Sequence, residues 1–152
     1  MVDQDVGSGR LYIAGLAPLY ARLAPLSYPL MRCCLGLMLV PHGFGKLFLA
    51  DLPHTVPNMV KMGLPMPVLW AYWIGILEFF GGLLLAVGLF TRIVAAMIAV
   101  EMAVICFFVL WPNYGWTNRG IEYPLMMGIF ALAMFLRGGG PLSLDRRIGR
   151  EF

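Results

Sequence analysis

Apolar residues fill this chain in long runs, without the strict alternation of a half-buried strand. Four runs stand out. Residues 28–49 read YPLMRCCLGLMLVPHGFGKLFL and residues 67–90 read PVLWAYWIGILEFFGGLLLAVGLF. Residues 93–111 read IVAAMIAVEMAVICFFVLW and residues 121–136 read IEYPLMMGIFALAMFL. A helix needs about 20 mostly apolar residues to cross a bilayer. In lipid every backbone polar group must be paired internally, so such lengths predict helices. Barrel strands would alternate polar and apolar positions, and these runs do not. The expectation is an all-α protein, a four-transmembrane-helix bundle over residues 28–136.

The segments between the runs carry turn chemistry. Residues 51–65, DLPHTVPNMVKMGLP, predict an ordered loop or short helix. Thr91-Arg92 predicts a tight turn, and residues 112–120, PNYGWTNRG, a loop. Trp111, Tyr114 and Trp116 cluster there, as aromatics do at a membrane interface. Residues 1–27 form an N-terminal tail and interfacial segment. Leu11, Gly15, Leu19, Leu23 and Leu26 recur at helical spacing with Arg22 off that stripe, which predicts an amphipathic helix on the membrane surface. Pro18 and Pro25 are expected to bend or interrupt it, and residues 1–9 to be disordered. Asp3 and Asp5 stand where a cleaved signal would be basic. Residues 137–152 read as a basic C-terminal tail.

Composition agrees with the runs. Hydrophobic residues make up 61 % of the chain and charged residues 12 %, against roughly 45–50 % and 25 % in soluble domains. The net charge is only +3, and no basic run resembles a nucleic-acid footprint. With four spans both termini share one side. Arg10, Arg22, Arg32, Arg92, Arg137, Arg146, Arg147 and Arg150 fall there; Lys46, Lys61 and Arg119 fall on the other. The positive-inside rule then places both termini in the cytoplasm. Cys33, Cys34 and Cys106 make no metal-ligand spacing and read as free thiols.

The chemistry lies in the few charges within or beside the spans: Arg32, His42, Lys46, Glu78, Glu101 and Glu122. An ionised group at a helix centre costs roughly 2.5–3.5 kcal/mol on insertion scales, so such groups face the bundle interior or titrate. At about 100° per residue, Arg32, Gly36, Leu39, Gly43 and Lys46 share one stripe of the first span. Ala71, Gly75, Glu78, Gly82 and Leu85 share one of the second, where small residues let a neighbouring backbone approach. Lys46 and His42 are expected to turn inward and meet Glu78 or Glu122. Pro41 predicts a kink just before them. His42, Lys46, Glu78, Glu101 and Glu122 thus form the candidate intramembrane site, suited to a quinone headgroup or a proton relay. Arg32 and Arg92 read as structural charges, with Arg32 snorkelling to the inner headgroups. Met59, Met62 and Met66 with His54 are too loosely spaced for a copper site, and no metal is expected. No ligand set suits haem, flavin or an iron–sulfur cluster.

These residues also carry a resemblance. Arg32 and Gly36, then HGFGK ending in Lys46, then LEFFGGLLLAVGLFTR with Glu78, Gly82, Gly88 and Arg92, then Glu122 and the tail GGGPLSLDR, follow one another in order. The pattern, over residues 28–147, resembles the DoxX family of small four-helix bacterial membrane proteins. Glu101 and the long N-terminal segment fall outside it. The resemblance implies a multi-pass protein of the bacterial cytoplasmic membrane, associated with quinone-linked sulfur oxidation and protection from oxidative stress. The leading expectation is therefore a membrane subunit of a redox system, binding a quinone or relaying protons beside an electron-transferring partner or within a homo-oligomer. The alternatives are a non-catalytic accessory or assembly subunit of a larger membrane complex, and a small-solute or proton transporter.

Overall fold

A computed structural model describes residues 11–49 and 52–150. Residues 1–10 of the expected tail, with Asp3, Asp5 and Arg10, lie outside the described residues. Every regular element among the described residues is helical. A 3₁₀ turn, Ala14–Leu16, leads into α1, Ala17–Phe48. A second 3₁₀ turn, Leu52–His54, precedes the short α2, Val56–Lys61. Then come α3, Pro67–Val87, and α4, Thr91–Leu110. A 3₁₀ turn at Trp116–Asn118 precedes α5, Glu122–Arg137, and α6 is Leu144–Ile148.

Three of these helices are long and apolar enough to cross a membrane: the one ending at Phe48, α3 and α4. The fourth expected span, α5, has 16 residues. At 1.5 Å per residue it is about 24 Å long, short of a hydrocarbon core of about 30 Å. It packs antiparallel along α4, with Gly128 against Met102 and Arg92 reaching its last turn. Large apolar side chains such as Leu37, Phe80, Val100, Phe107 and Ile129 cover the outside, the reverse of a water-soluble surface and suited to lipid contact.

The N-terminal segment departs from expectation. It is not a separate surface helix, for α1 runs 32 residues without a break through Pro25, Pro29 and Pro41. A proline removes one backbone donor, but in an apolar helix no water competes for the freed carbonyl, and nearby hydroxyls can serve. Ser27 Oγ donates to Ala24 O at 2.7 Å, next to the Pro25 carbonyl that Pro29 leaves without its helical donor. The stripe Leu11, Leu19, Leu23 and Leu26 is exposed.

α1 and α3 pack antiparallel on glycine. A Cβ on Gly36 would lie 2.4 Å from Gly82 O, and one on Gly43 would lie 2.3 Å from Phe79 N. The backbones touch there, and no side chain fits between them. Behind this seam Leu35, Leu39, Leu77, Leu85, Val94, Ile98 and Met134 form the core shared with α4 and α5. α3 ends at Gly88 (φ +73°), where Leu89 N–H donates to Leu84 O and Gly88 N–H to Leu85 O. That is the left-handed close of a helix that glycine favours.

The C-terminal segment is no loose tail. Residues 138–145 fold back onto the end of the bundle. Tyr28 Oη donates to Gly138 O at 2.5 Å, and the Arg137 guanidinium lies 4.6 Å over the Tyr28 ring. Arg32 does not snorkel. It is 1 % exposed, donating to Gly139 O, to Leu142 O at 3.3 Å and to Ala86 O at 3.5 Å. Sequence spacing put it at the rim; the returning tail covers it. The Asp145 carboxylate accepts from Phe90 N–H (2.8 Å) and Thr91 N–H (2.9 Å), capping α4 from afar. At the same end of the bundle Arg92 caps the C-terminus of α5, donating to Phe135 O and Leu136 O at 2.8 Å each.

Two outcomes follow. Gly43→Leu must separate α1 from α3, so its unfolding free energy in detergent should fall by about 3 kcal/mol or more, the upper end for overpacking. Gly15→Leu, which meets nothing within 4 Å, should change it little. Asp145→Ala strips the remote cap from α4 and should cost about 1–2 kcal/mol, the range for a lost N-cap; thermal unfolding of the purified proteins checks both.

Candidate functional site

The glycine seam fixes the register that brings the charges together. Gly43 and Gly75 are its outer contacts; Lys46 lies three residues past the first and Glu78 three past the second. Lys46 Nζ meets Glu78 Oε2 at 2.5 Å, with the side chains 14 % and 6 % exposed. Glu78 sits about 16 Å from one end of α3 and about 13 Å from the other, well inside a bilayer-spanning length. It lies in a π-helical turn, Leu77–Gly81. Such turns widen a helix by one residue and recur at functional sites. The rings of Phe44, Phe48, Phe79 and Phe80 pack in a chain beside the pair, with centroids 5.0–6.1 Å apart.

Glu101 completes the cluster from α4. It is buried and interacts electrostatically with both Glu78 and Lys46. Neither of its carboxylate oxygens has a donor among the described residues, and its side chain lies within hydrogen-bonding reach of Glu78. One ammonium thus faces two carboxyl groups in an interior shielded from water. A buried carboxyl without a donor is costly, and its retention there is a feature in need of a reason.

Glu101 also forms part of the wall of a cavity of about 430 Å³ between α3 and α4. The wall is otherwise apolar, with Trp70, Trp73 and Met97 from the spans and Met59 and Met62 from the outer segment around α2. The two methionines considered with His54 for copper therefore pack inward, while Met66 is exposed at the head of α3. Nothing in the sequence marks the two tryptophans as lining. Both stay partly exposed, with α2 packed against the helix that bears them.

Two expected members stand elsewhere. His42 is exposed. Its neighbour Gly43 takes the close approach, which turns His42 about 100° away from the seam. Glu122 is exposed at the start of α5, where Oε2 accepts from Trp116 N–H at 3.2 Å. It belongs to the outer turn and not to the Lys46 cluster. Arg32 and Arg92 hold backbone carbonyls at the far end of the bundle, as described above.

The charge count makes the cluster asymmetric. Lys46→Met leaves two carboxyl groups without a cation, and breaking a buried pair typically costs about 3–5 kcal/mol. Glu78→Gln leaves Lys46 with Glu101 still beside it. Lys46→Met should therefore destabilise the protein more than Glu78→Gln, by about 1–2 kcal/mol. Denaturation of the two variants in one detergent measures the difference; equal losses would mean that Glu101 does not share the lysine.

Comparison with known proteins agrees with this geometry. The chain is 29 % identical over 131 residues to an uncharacterised protein of Haemophilus influenzae, covering 84 % of this chain and 94 % of that one. No solved structure matches it. The pattern of the DoxX family matches residues 28–111, which hold the glycine seam, Lys46, Glu78 and Glu101. Over half of its length is thereby accounted for, and the chain belongs to the DoxX family of membrane proteins.

Proposed function

We propose that this protein is an integral subunit of a redox system in the bacterial cytoplasmic membrane, handling protons at the Lys46–Glu78–Glu101 cluster beside a quinone and an electron-transferring partner. The observation that carries the reading is the buried ion pair with a third group, a carboxyl without a donor among the described residues, set in the wall of an apolar cavity. Buried titratable groups at a cavity are candidates for function because structure alone rarely tolerates them.

The cavity suits a quinone ring. Its volume lies within the range of small-molecule sites, and it is mostly apolar with one polar group at hand. A bound quinone would supply two-electron, two-proton chemistry. The protein's own residues supply the surroundings. Trp70 and Trp73 offer aromatic faces, and Met59 and Met62 close the outer side with adaptable thioethers. Glu101 would hold a ring oxygen by a hydrogen bond. Lys46 pairs with Glu78, and Glu78 stands next to Glu101 in the same cluster. Four spans with both termini in the cytoplasm fit this reading. Arg32, Arg92, Arg137, Arg146 and Arg147 gather at one end of the bundle, which favours that end inside.

One observation favours the second reading, a non-catalytic accessory or assembly subunit. The N-terminal part of α1 exposes Leu19, Tyr20, Leu23 and Leu26, a surface suited to a membrane partner. Membranes with Glu78→Gln or Glu101→Gln at normal insertion levels separate the two. The redox reading expects quinone-dependent turnover to fall by about a hundredfold, as for loss of an acid–base group. Full turnover in both variants, together with loss of turnover on deleting the chain, would leave only the accessory role.

A further inference from the structure

Glu122 has a different setting from the other charges, and its surroundings point to a ligand of their own. The outer turn is tightly folded. Ile121 N–H donates to Asn113 O at 2.9 Å and Glu122 N–H to Tyr114 O at 3.1 Å. Gly120 presses so closely on Tyr114 that a Cβ there would lie 2.2 Å from its carbonyl. The turn thus holds the rings of Tyr114 and Trp116 against the first turn of α5. Trp116 and Tyr123 meet edge to face, with centroids 6.1 Å apart and planes at 76°. Between these rings and α5 runs a groove of about 460 Å³. At its outer end stand Tyr114, Trp116, Tyr123 and Glu122; further along it is lined by apolar side chains such as Leu125 and Ile129.

Three aromatic rings and a carboxylate around one opening form a receptor for an ammonium group, drawn to the ring faces and to the negative charge. Glu122 uses one oxygen on Trp116 N–H and remains exposed. The groove then continues as an apolar strip along the outward face of α5, so the occupant has an apolar tail below its cation. Aromatic residues of this kind sit at headgroup level in a membrane. α5 is also shorter than the hydrocarbon core, and a bilayer meets a short helix by drawing its headgroups inward at the helix end. Arg119, exposed in the same turn, offers the opposite charge near a headgroup phosphate.

We propose that this groove is a docking site for a phospholipid whose headgroup carries an ammonium, with the nitrogen among Tyr114, Trp116, Tyr123 and Glu122 and an acyl chain along α5. Lipids without a headgroup cation have nothing to set against Glu122.

The test reconstitutes the full chain in nanodiscs of equimolar phosphatidylethanolamine and phosphatidylglycerol with identical acyl chains. Lipid retained after transfer to detergent is counted by native mass spectrometry. The wild-type protein should enrich phosphatidylethanolamine about fivefold over phosphatidylglycerol, the scale of an exposed cation–π contact. Glu122→Gln keeps an acceptor for Trp116 N–H but removes the charge, and Trp116→Ala removes a ring. Each should bring the ratio close to one. Equal retention of the two lipids by the wild-type protein would overturn the proposal. So would enrichment that survives both substitutions, or displacement of the lipid by millimolar free choline, which would make the groove a site for a soluble amine. Neither residue touches the α1–α3 seam, so the outcome is independent of the redox reading.

Discussion

Backbone contact between α1 and α3 is the constraint on which the rest of the molecule depends. Gly36 and Gly43 on one helix, and Gly75 and Gly82 on the other, are each spaced by seven residues, two turns of helix. Lipid gives no hydrophobic force between helices, so close approach and dispersion must hold them. Glycine permits that approach: the nearest backbone atom stands 2.3–2.6 Å from where a Cβ would be on Gly36, Gly43 and Gly82, and on Gly75 a Cβ would lie 3.1 Å from Lys46 Cβ. Once the two seams are aligned no freedom of register remains. Lys46 must then face Glu78, and Arg32 must face the end of α3 at Gly88, where a Cβ would strike its guanidinium.

The two ends of the bundle solve the problem of buried charge differently. At the end that holds the C-terminal segment Arg32 donates to carbonyl oxygens and Asp145 accepts from N–H groups. Each charge has dipoles of the right sign, and the C-terminal segment supplies most of them. That arrangement is structural: it ties α1, the α3–α4 turn and the tail into one unit. The Lys46 cluster is different. Its third member stands beside a cavity. Among the described residues Arg32 leaves only Nε without a partner while its terminal nitrogens reach three carbonyl oxygens, whereas both oxygens of Glu101 lack a donor. This difference of degree sets the Arg32 knot apart from the Lys46 cluster.

Much of this was legible in the sequence. Run lengths marked the helices, and two stripes marked the faces that meet: Arg32, Gly36, Leu39 and Gly43 are buried, as are Ala71, Gly75, Glu78, Gly82 and Leu85. Stripes are legible because a helix repeats by a fixed angle and lipid allows few polar residues off the inner face. The misses have equally physical causes. His42 and Lys46 lie only 40° apart on the wheel, but a long flexible lysine can reach inward where an imidazole cannot. Glu122 sits at a helix start, where depth and loop shape decide its company, and neither has a period. The prolines of α1 suggested a break because the rule comes from water, where freed carbonyls have an alternative. The tail GGGPLSLDR reads as loop, and its role as a plug depends on Tyr28 and Arg32, more than a hundred residues earlier.

Glu101 is the residue that makes the cluster more than an ion pair. All three members lie within the residues that the family pattern matches. A lone Lys46–Glu78 pair is electrically closed and has no need of a proton. A second carboxyl group opens it. The cluster then carries one acidic group more than its single cation can balance, and the surplus must be met by a proton or by whatever occupies the cavity. The placement of Glu101 on α4, across from the rigid α1–α3 seam, makes the cluster's geometry depend on how closely the two helix pairs are held. The seam is fixed by glycine, and the α3–α4 junction is fixed by Asp145. The geometry of the cluster is therefore tied through α4 to the end of the bundle that Asp145 caps, some 15 Å away along the helix.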